Sequence, residues 1–394
     1  IQKTPLRTMH GASANPPLSQ CGDRANLKKT FMLLEFAGLT VAVESDDSED
    51  LLWLADFFGP GFAPSAGPPV PASRHARLVG SAERYQSLRL LAQNSVDCIA
   101  AFVLDGGALE LPVFHDGDAM VIHDTQFSAF LRQSAADSWE VIDERDPSET
   151  PARTPRRARA ALMRMVREWA MHHARRQAFL PLHAAGIARD GGALLFAGAK
   201  GAGKTTLTAA CLTRSGDFGL MANDRILLSG GAAGWRCRGM ATIVSFRPGS
   251  FEFLPDLREG IERVATGLVN RLDAGPPAAL VEGRYSLSPS QYRRALGVGP
   301  IAEAPLAAIG FPVIGADVPG IRPTRLDRDE AERRLGDTLF AQTAADCRSP
   351  VFDVPEAGAW PSPVEVKSRT AELAASVGHR VRPDCRSADR TCGR

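Results

Sequence analysis

The chain has 394 residues, 44% of them hydrophobic and 23% charged, the make-up of a globular protein with room for two or three domains and not of a fibrous or disordered one. A formal net charge of +1 gives no reason to expect a polyanionic partner, and no apolar run is long enough to span a bilayer. The seven cysteines (Cys21, Cys98, Cys211, Cys237, Cys347, Cys385 and Cys392) are odd in number, scattered and without a C-x-x-C pair, which argues against a disulfide framework or structural zinc and for a reducing cytoplasm.

Residues 1–29 are polar and proline-containing, lack a signal-peptide pattern and read as a disordered leader; Met9 or Met32 is a candidate start. Residues 30–146 read as a separate, smaller α+β or mostly β domain. Phe31–Val43 forms a strand pair around Gly38, and Asp50–Phe58 a short helix. Gly59–Ser73, with its prolines, is a loop. Strands follow at Ala76–Gly80, Cys98–Leu104, Leu109–Phe114, Ala119–His123 and Trp139–Ile142. His115 and His123 sit near Asp116, Asp118 and Asp124; a metal site is one reading, exposed turn residues the plainer one.

Residues 147–179 are a linker and a basic helix. Leu162, Val166, Trp169 and His173 share one face. Arg153, Arg156, Arg157, Arg159, Arg164, Arg167, Arg175 and Arg176 supply the rest. Aromatic interleaving is absent, so a solvated face is expected and not a nucleic-acid contact.

Residues 180–345 carry the informative stretch. Leu180–Ala188 is a strand containing His183, and Ala193–Ala197 is a second short apolar strand. Gly198-Ala199-Lys200-Gly201-Ala202-Gly203-Lys204-Thr205 then fills the pattern G-x-x-x-x-G-K-[ST], and Thr206 and Leu207–Leu212 continue as a helix former. Strand, glycine loop and helix are the setting in which that pattern binds phosphate. Glycines let backbone N–H groups curl around an anion, and the helix start adds a positive end. Lys204 reaches the outer phosphates, and the Thr205 hydroxyl is a natural Mg²⁺ ligand. A chance glycine-rich turn is the alternative. About 20 residues further on, an apolar strand from Phe218 to Leu228 contains Asn223-Asp224-Arg225, and Asp224 is the carboxylate that phosphoryl transfer needs for Mg²⁺ or for the acceptor proton. Its plainer role is a turn or cap. There is no N-K-x-D base-reading motif, so a GTPase is disfavoured.

Beyond it, Leu257–Leu272 reads as helical, Ser288-Pro289-Ser290-Gln291 as a capping-box helix start, Leu306–Ile314 as a strand and Asp327–Phe340 as an amphipathic helix with Ala331, Leu335 and Leu339 on one side. Residues 346–394 read as a disordered basic tail.

Leu182-His183-Ala-Ala, the glycine loop, Leu-Met-Ala-Asn223-Asp224-Arg225 and Arg238-Gly239 together resemble the catalytic core of HPr kinase/phosphorylase and the wider HPr-kinase-like group. The likeness is specific over residues 180–250. It extends more loosely through Arg247-Pro-Gly and Arg284-Tyr-Ser-Leu-Ser-Pro. It implies an α/β P-loop core with a mixed sheet and an ATP- and Mg²⁺-dependent serine kinase. Lys204 would then hold phosphates, Thr205 and Asp224 the metal, Asp224 would act as base, and His183 would stand beside the transferred group; without the likeness His183 reads as a satisfied strand histidine. The family also implies an oligomer, often a hexamer. Asn223 replaces the first acid of the family pair, and Arg236 stands where a second metal ligand would be, which disfavours phosphorolysis and HPr itself as substrate. The expected acceptor is a hydroxyl on another protein or peptide. A nucleotide-gated binding module and a small-molecule kinase are the other readings.

Overall fold

The computed structural model describes residues 30–64, 72–94, 97–104, 107–145, 157–231, 234–246, 250–267, 285–313, 323–340 and 362–378. The expected leader, the linker with Arg153 and Arg156, Arg247-Pro-Gly, the helical end at 268–272, Arg284 and much of the tail lie outside them. The fold is α/β with mixed sheets.

The first half forms β1 (Thr30–Phe36), β2 (Leu39–Ser45), α1 (Ser48–Phe58), β3 (Ala63–Pro64), β4 (Arg74–Gly80), α2 (Ala82–Asn94), β5 (Asp97–Leu104), β6 (Gly107–Asp116), β7 (Ala119–Asp124), β8 (Ala129–Ala135) and β9 (Ser138–Asp143). Its nine strands run in the order β3-β1-β2-β4-β9-β8-β7-β6-β5. β2–β4 and β4–β9 are parallel, and the other pairs are antiparallel. Ala37 and Gly38 turn β1 into β2 with φ of 50° and 88°, the left-handed pair that matches the twist of a two-residue hairpin. Helix α1 follows from an Asp47 cap and buries Leu51, Leu54, Phe57 and Phe58. Helix α2 and strand β8 were not legible. In α2 the buried Tyr85 and Leu88 are followed by Leu90 and Leu91 on the exposed side, which blurs the period.

Helix α3 (Ala158–Arg176) corrects the solvated-face expectation: Arg159, Arg164, Arg167 and Arg175 are all buried. The helix is covered on both sides, so its arginines find partners inside. Arg164 Nη1 is 3.0 Å from Asp124 Oδ2, and the Arg159 guanidinium lies 4.6 Å over the Trp53 ring. The apolar cluster around Leu162, Val166 and Trp169 takes residues from the first sheet and also Leu227 and Met240 from the second, with Ala241 just beyond it. The two halves therefore share a core across α3.

The second half forms β10 (Leu180–Arg189), β11 (Gly192–Ala197), α4 (Lys204–Ser215), β12 (Gly219–Ala222), β13 (Arg225–Gly231), β14 (Gly234–Met240), β15 (Val244–Phe246), α5 (Ser250–Phe253), α6 (Pro255–Gly267), β16 (Tyr285–Leu287), α7 (Pro289–Leu296), β17 (Glu303–Gly310), α8 (Arg328–Thr338) and α9 (Pro363–Gly378). Strand order is β11-β17-β14-β13-β10-β12, and β11 also pairs with β10, so the pairings close a circuit. β11–β17 is parallel and the other pairs are antiparallel. Successive residues of β11 enter different cores: Leu195 faces Leu182, Ile226 and Leu306, and Phe196 faces Leu212, Leu257 and Tyr292. Helices α4, α6 and α7 cover the second of these faces. The capping box at Ser288 is formed, with Ser288 N–H donating to Gln291 Oε1 at 2.8 Å.

Gly260 of α6 lies so close to α7 that an added Cβ would fall 1.9 Å from the Ala295 carbonyl oxygen. Alanine would gain up to about 1 kcal/mol in helix propensity but must force backbone apart at about 1–3 kcal/mol or more. Gly260→Ala is therefore expected to lower the midpoint of urea unfolding.

Helix α9 corrects the disordered-tail expectation over 363–378. Val366, Leu373 and Ala374 are buried beside Leu335 of α8 and the β17 side chains. Their spacing is helical, but the surrounding basic and small residues masked it. Leu373→Ala should cost about 2–5 kcal/mol in the same assay, against almost nothing for a disordered tail.

Candidate functional site

Strand β10 is the spine of the site. Its register sets Ala184 opposite Ala197 on one side, and His183 opposite Arg225 and Gly186 opposite Ala222 on the other. β12 and β13 therefore lie along the same edge of β10, with a bulge in the β12 pairing between Gly186 and Ile187. The continuous strand expected from Phe218 to Leu228 is thus two strands with a break at its polar residues. Gly198 N–H donates to the His183 carbonyl at 3.3 Å, and Ala184 N–H donates to the Asp224 carbonyl at 3.0 Å. The end of β11, the body of β10 and the junction of β12 with β13 therefore deliver the start of the glycine loop, His183 and Asp224 to one place.

The loop from Gly198 to Gly203 curls between β11 and α4. Gly201 and Gly203 have φ of 87° and 96°, open to glycine without strain, and a Cβ on Gly198 would meet Ala202 Cβ at 3.1 Å. Ala199, Lys200 and Gly201 are exposed at its outer edge. No side chain caps α4, so the amides of Lys204, Thr205 and Thr206 in its first turn keep no intrahelical acceptor. Lys204 is buried under the loop, where its Nζ donates to the carbonyls of Gly198 at 2.7 Å and Ala199 at 3.1 Å.

Asp224 Oδ1 is 3.0 Å from His183 Nε2, and Asp224 Oδ2 is 3.9 Å from Arg225 Nε. Burial pushes the Asp224 carboxyl up, but the His183 hydrogen bond and the charges of His183, Arg225 and Lys204 outweigh it and hold the group below the ordinary carboxylate range. Phe340, carried in after α8, places its ring 5.0 Å from the His183 ring and 5.0 Å from the Arg225 guanidinium.

The residues expected from sequence are thus brought together, with two differences. The Asn223 side chain is buried, its Oδ1 without a hydrogen-bond partner, in a cavity of about 30 Å³ that Phe57, Phe58 and Thr242 also line. Arg236 lies opposite Ser229, four residues from the Met240–Arg225 pair, or about 13 Å along the strand, so it stands away from Asp224. Its guanidinium pairs with Glu303, as does Arg238 at 2.5 Å. Two pairings replace the exposed-turn reading near His123. The His123 ring stacks on Phe130, and Asp124 is buried against Arg164.

Sequence reasoning missed Glu168, Glu303 and Phe340. Glu168 had a signal: it is the lone acid in the arginine-rich α3. Among the described residues no three His, Cys, Asp or Glu side chains gather to hold a metal. No helix among them is long and apolar enough to cross a membrane.

No family model matches the chain, and no curated protein matches it.

Proposed function

We propose that this chain is an ATP-dependent phosphotransferase of the HPr-kinase-like kind, acting on a hydroxyl of a protein or peptide. The observation that carries the reading is the convergence, on β10, of an uncapped glycine loop with a buried lysine and a single ionised carboxylate. The loop amides and Lys204 bind the outer phosphates of ATP. As the acceptor oxygen bonds to the γ-phosphorus, Asp224 takes its proton, the bond to the β–γ bridging oxygen breaks, and ADP leaves with the released charge. His183 fixes the carboxylate. Mg²⁺, held by Thr205 and Asp224 with phosphate oxygens, would neutralise charge on the nucleotide; one carboxylate suits an ion that relies on substrate ligands.

The test is transfer from γ-labelled ATP, with Mg²⁺, to serine-bearing peptides and cell-extract proteins. Acid-stable label on serine is expected. Tight ATP binding with no labelled acceptor would instead favour the nucleotide-gated module, the reading that the buried, non-acidic Asn223 supports.

A further inference from the structure

We propose that Glu168 of α3 is a positioning residue for Asp224, acting through Arg225, so that the first half of the chain completes the site. This rests on the phosphotransferase reading above. Arg225 opens β13, and both Arg225 and Glu168 are buried. Its Nη1 is 3.7 Å from Glu168 Oε1, and its Nε is 3.9 Å from Asp224 Oδ2. Phe340 covers the guanidinium from outside.

Arg225 Nε has no hydrogen-bond partner. A buried guanidinium N–H without an acceptor is costly, and Asp224 Oδ2 lies 3.9 Å from it. Asp224 thus has one oxygen engaged by His183 and the other turned toward an arginine less than 1 Å beyond hydrogen-bond reach. The rotation of the carboxylate depends on where that guanidinium sits, and Glu168 holds it from behind.

The charges around Glu168 make it a fixed anion. Burial raises its carboxyl, but Arg167, Arg225, His172 and Arg175 together bring it below the ordinary range. Arg167, at 3.3 Å, is pushed down by burial to about 10 and stays protonated at neutral pH. Glu168 therefore serves several cations, all but Arg225 belonging to α3 itself. Arg225 is the one that reaches the site.

The experiment uses the full chain, with magnesium ATP, water as acceptor and released inorganic phosphate as readout, beside crystal structures of the same variants. Glu168→Gln should let the Arg225 guanidinium close on Asp224 Oδ2 and occupy the base, lowering kcat by about ten- to a hundredfold with KM for ATP unchanged, because the loop is untouched. Glu168→Asp should recover part of both. If Glu168→Gln does not fold, Arg225→Lys keeps the charge but loses the Nε–H, and the same split between kcat and KM is expected. An unmoved Arg225 in Glu168→Gln, wild-type turnover in folded Arg225→Lys, or kcat and KM worsening together in step with lost stability would each overturn the proposal. A wild-type chain that fails to bind ATP would sink the phosphotransferase reading instead, and the crystal comparison would still decide whether Glu168 sets Arg225.

Discussion

Asp224→Asn is expected to lower phosphotransfer turnover by about 10²–10⁴-fold while leaving ATP affinity nearly unchanged. The substitution keeps the shape of the side chain and removes its charge. The acceptor proton then has no base, and His183 loses the carboxylate that its Nε2 meets at 3.0 Å. The loop and Lys204 are untouched, so the loss should fall on kcat and not on KM. The pH dependence has a definite sign. The native carboxyl lies below the ordinary range, so the base form survives down to a pH below that range, and the acid limb of wild-type kcat falls there. The same depression means that Asp224 contributes stability above its unfolded pKa and loses it as pH falls through the native one. The stability gap between wild type and Asp224→Asn should therefore be present at neutral pH and close in acid. Steady-state kinetics and urea melts across pH check both statements. Turnover within twofold of wild type would remove Asp224 from the chemistry.

Much of this site was legible because its parts are local. The glycine loop announces itself by residue type and by the strand and helix on either side. Asp224 could be found as the acid at an apolar strand end. The pairing of His183 with Asp224 was a different matter: it depends on the register of β10 against β13, which no short window of sequence contains. The same limit explains Arg236, whose distance from Asp224 is set by the β13–β14 register. The buried arginines of α3 were misread because periodicity sees one apolar face and assigns the rest to water. The groups that receive them, Trp53 for Arg159 and Asp124 for Arg164, are far from α3 in sequence and reach it only through the fold. The capping box at Ser288 and the hairpin at Ala37-Gly38 were predictable for the opposite reason: both are complete within a few residues.

Lys204→Ala should weaken nucleotide binding by at least about tenfold without unfolding the chain. The ammonium sits at 7% exposure, donating to two loop carbonyls, Gly198 at 2.7 Å and Ala199 at 3.1 Å. A charge-assisted hydrogen bond to phosphate is worth roughly 1.5–3 kcal/mol, so losing one or two of them weakens binding by about 10- to 10⁴-fold. The stability cost is smaller. A buried cation pays for desolvation, and the carbonyls it leaves belong to a loop whose outer edge is exposed, so water can reach them. The melting temperature should stay close to that of wild type while the midpoint of titration with a fluorescent ATP analogue moves to at least about tenfold higher concentration. Removing Lys204 also takes away one of the cations that depress Asp224, so any residual activity should show its acid limb at higher pH. Wild-type affinity in Lys204→Ala would show that the loop does not hold the nucleotide's outer phosphates. Lost affinity together with a collapsed melting temperature would make the lysine a structural strut, and the reading of β10 as the spine of a phosphoryl-transfer site would lose its anion.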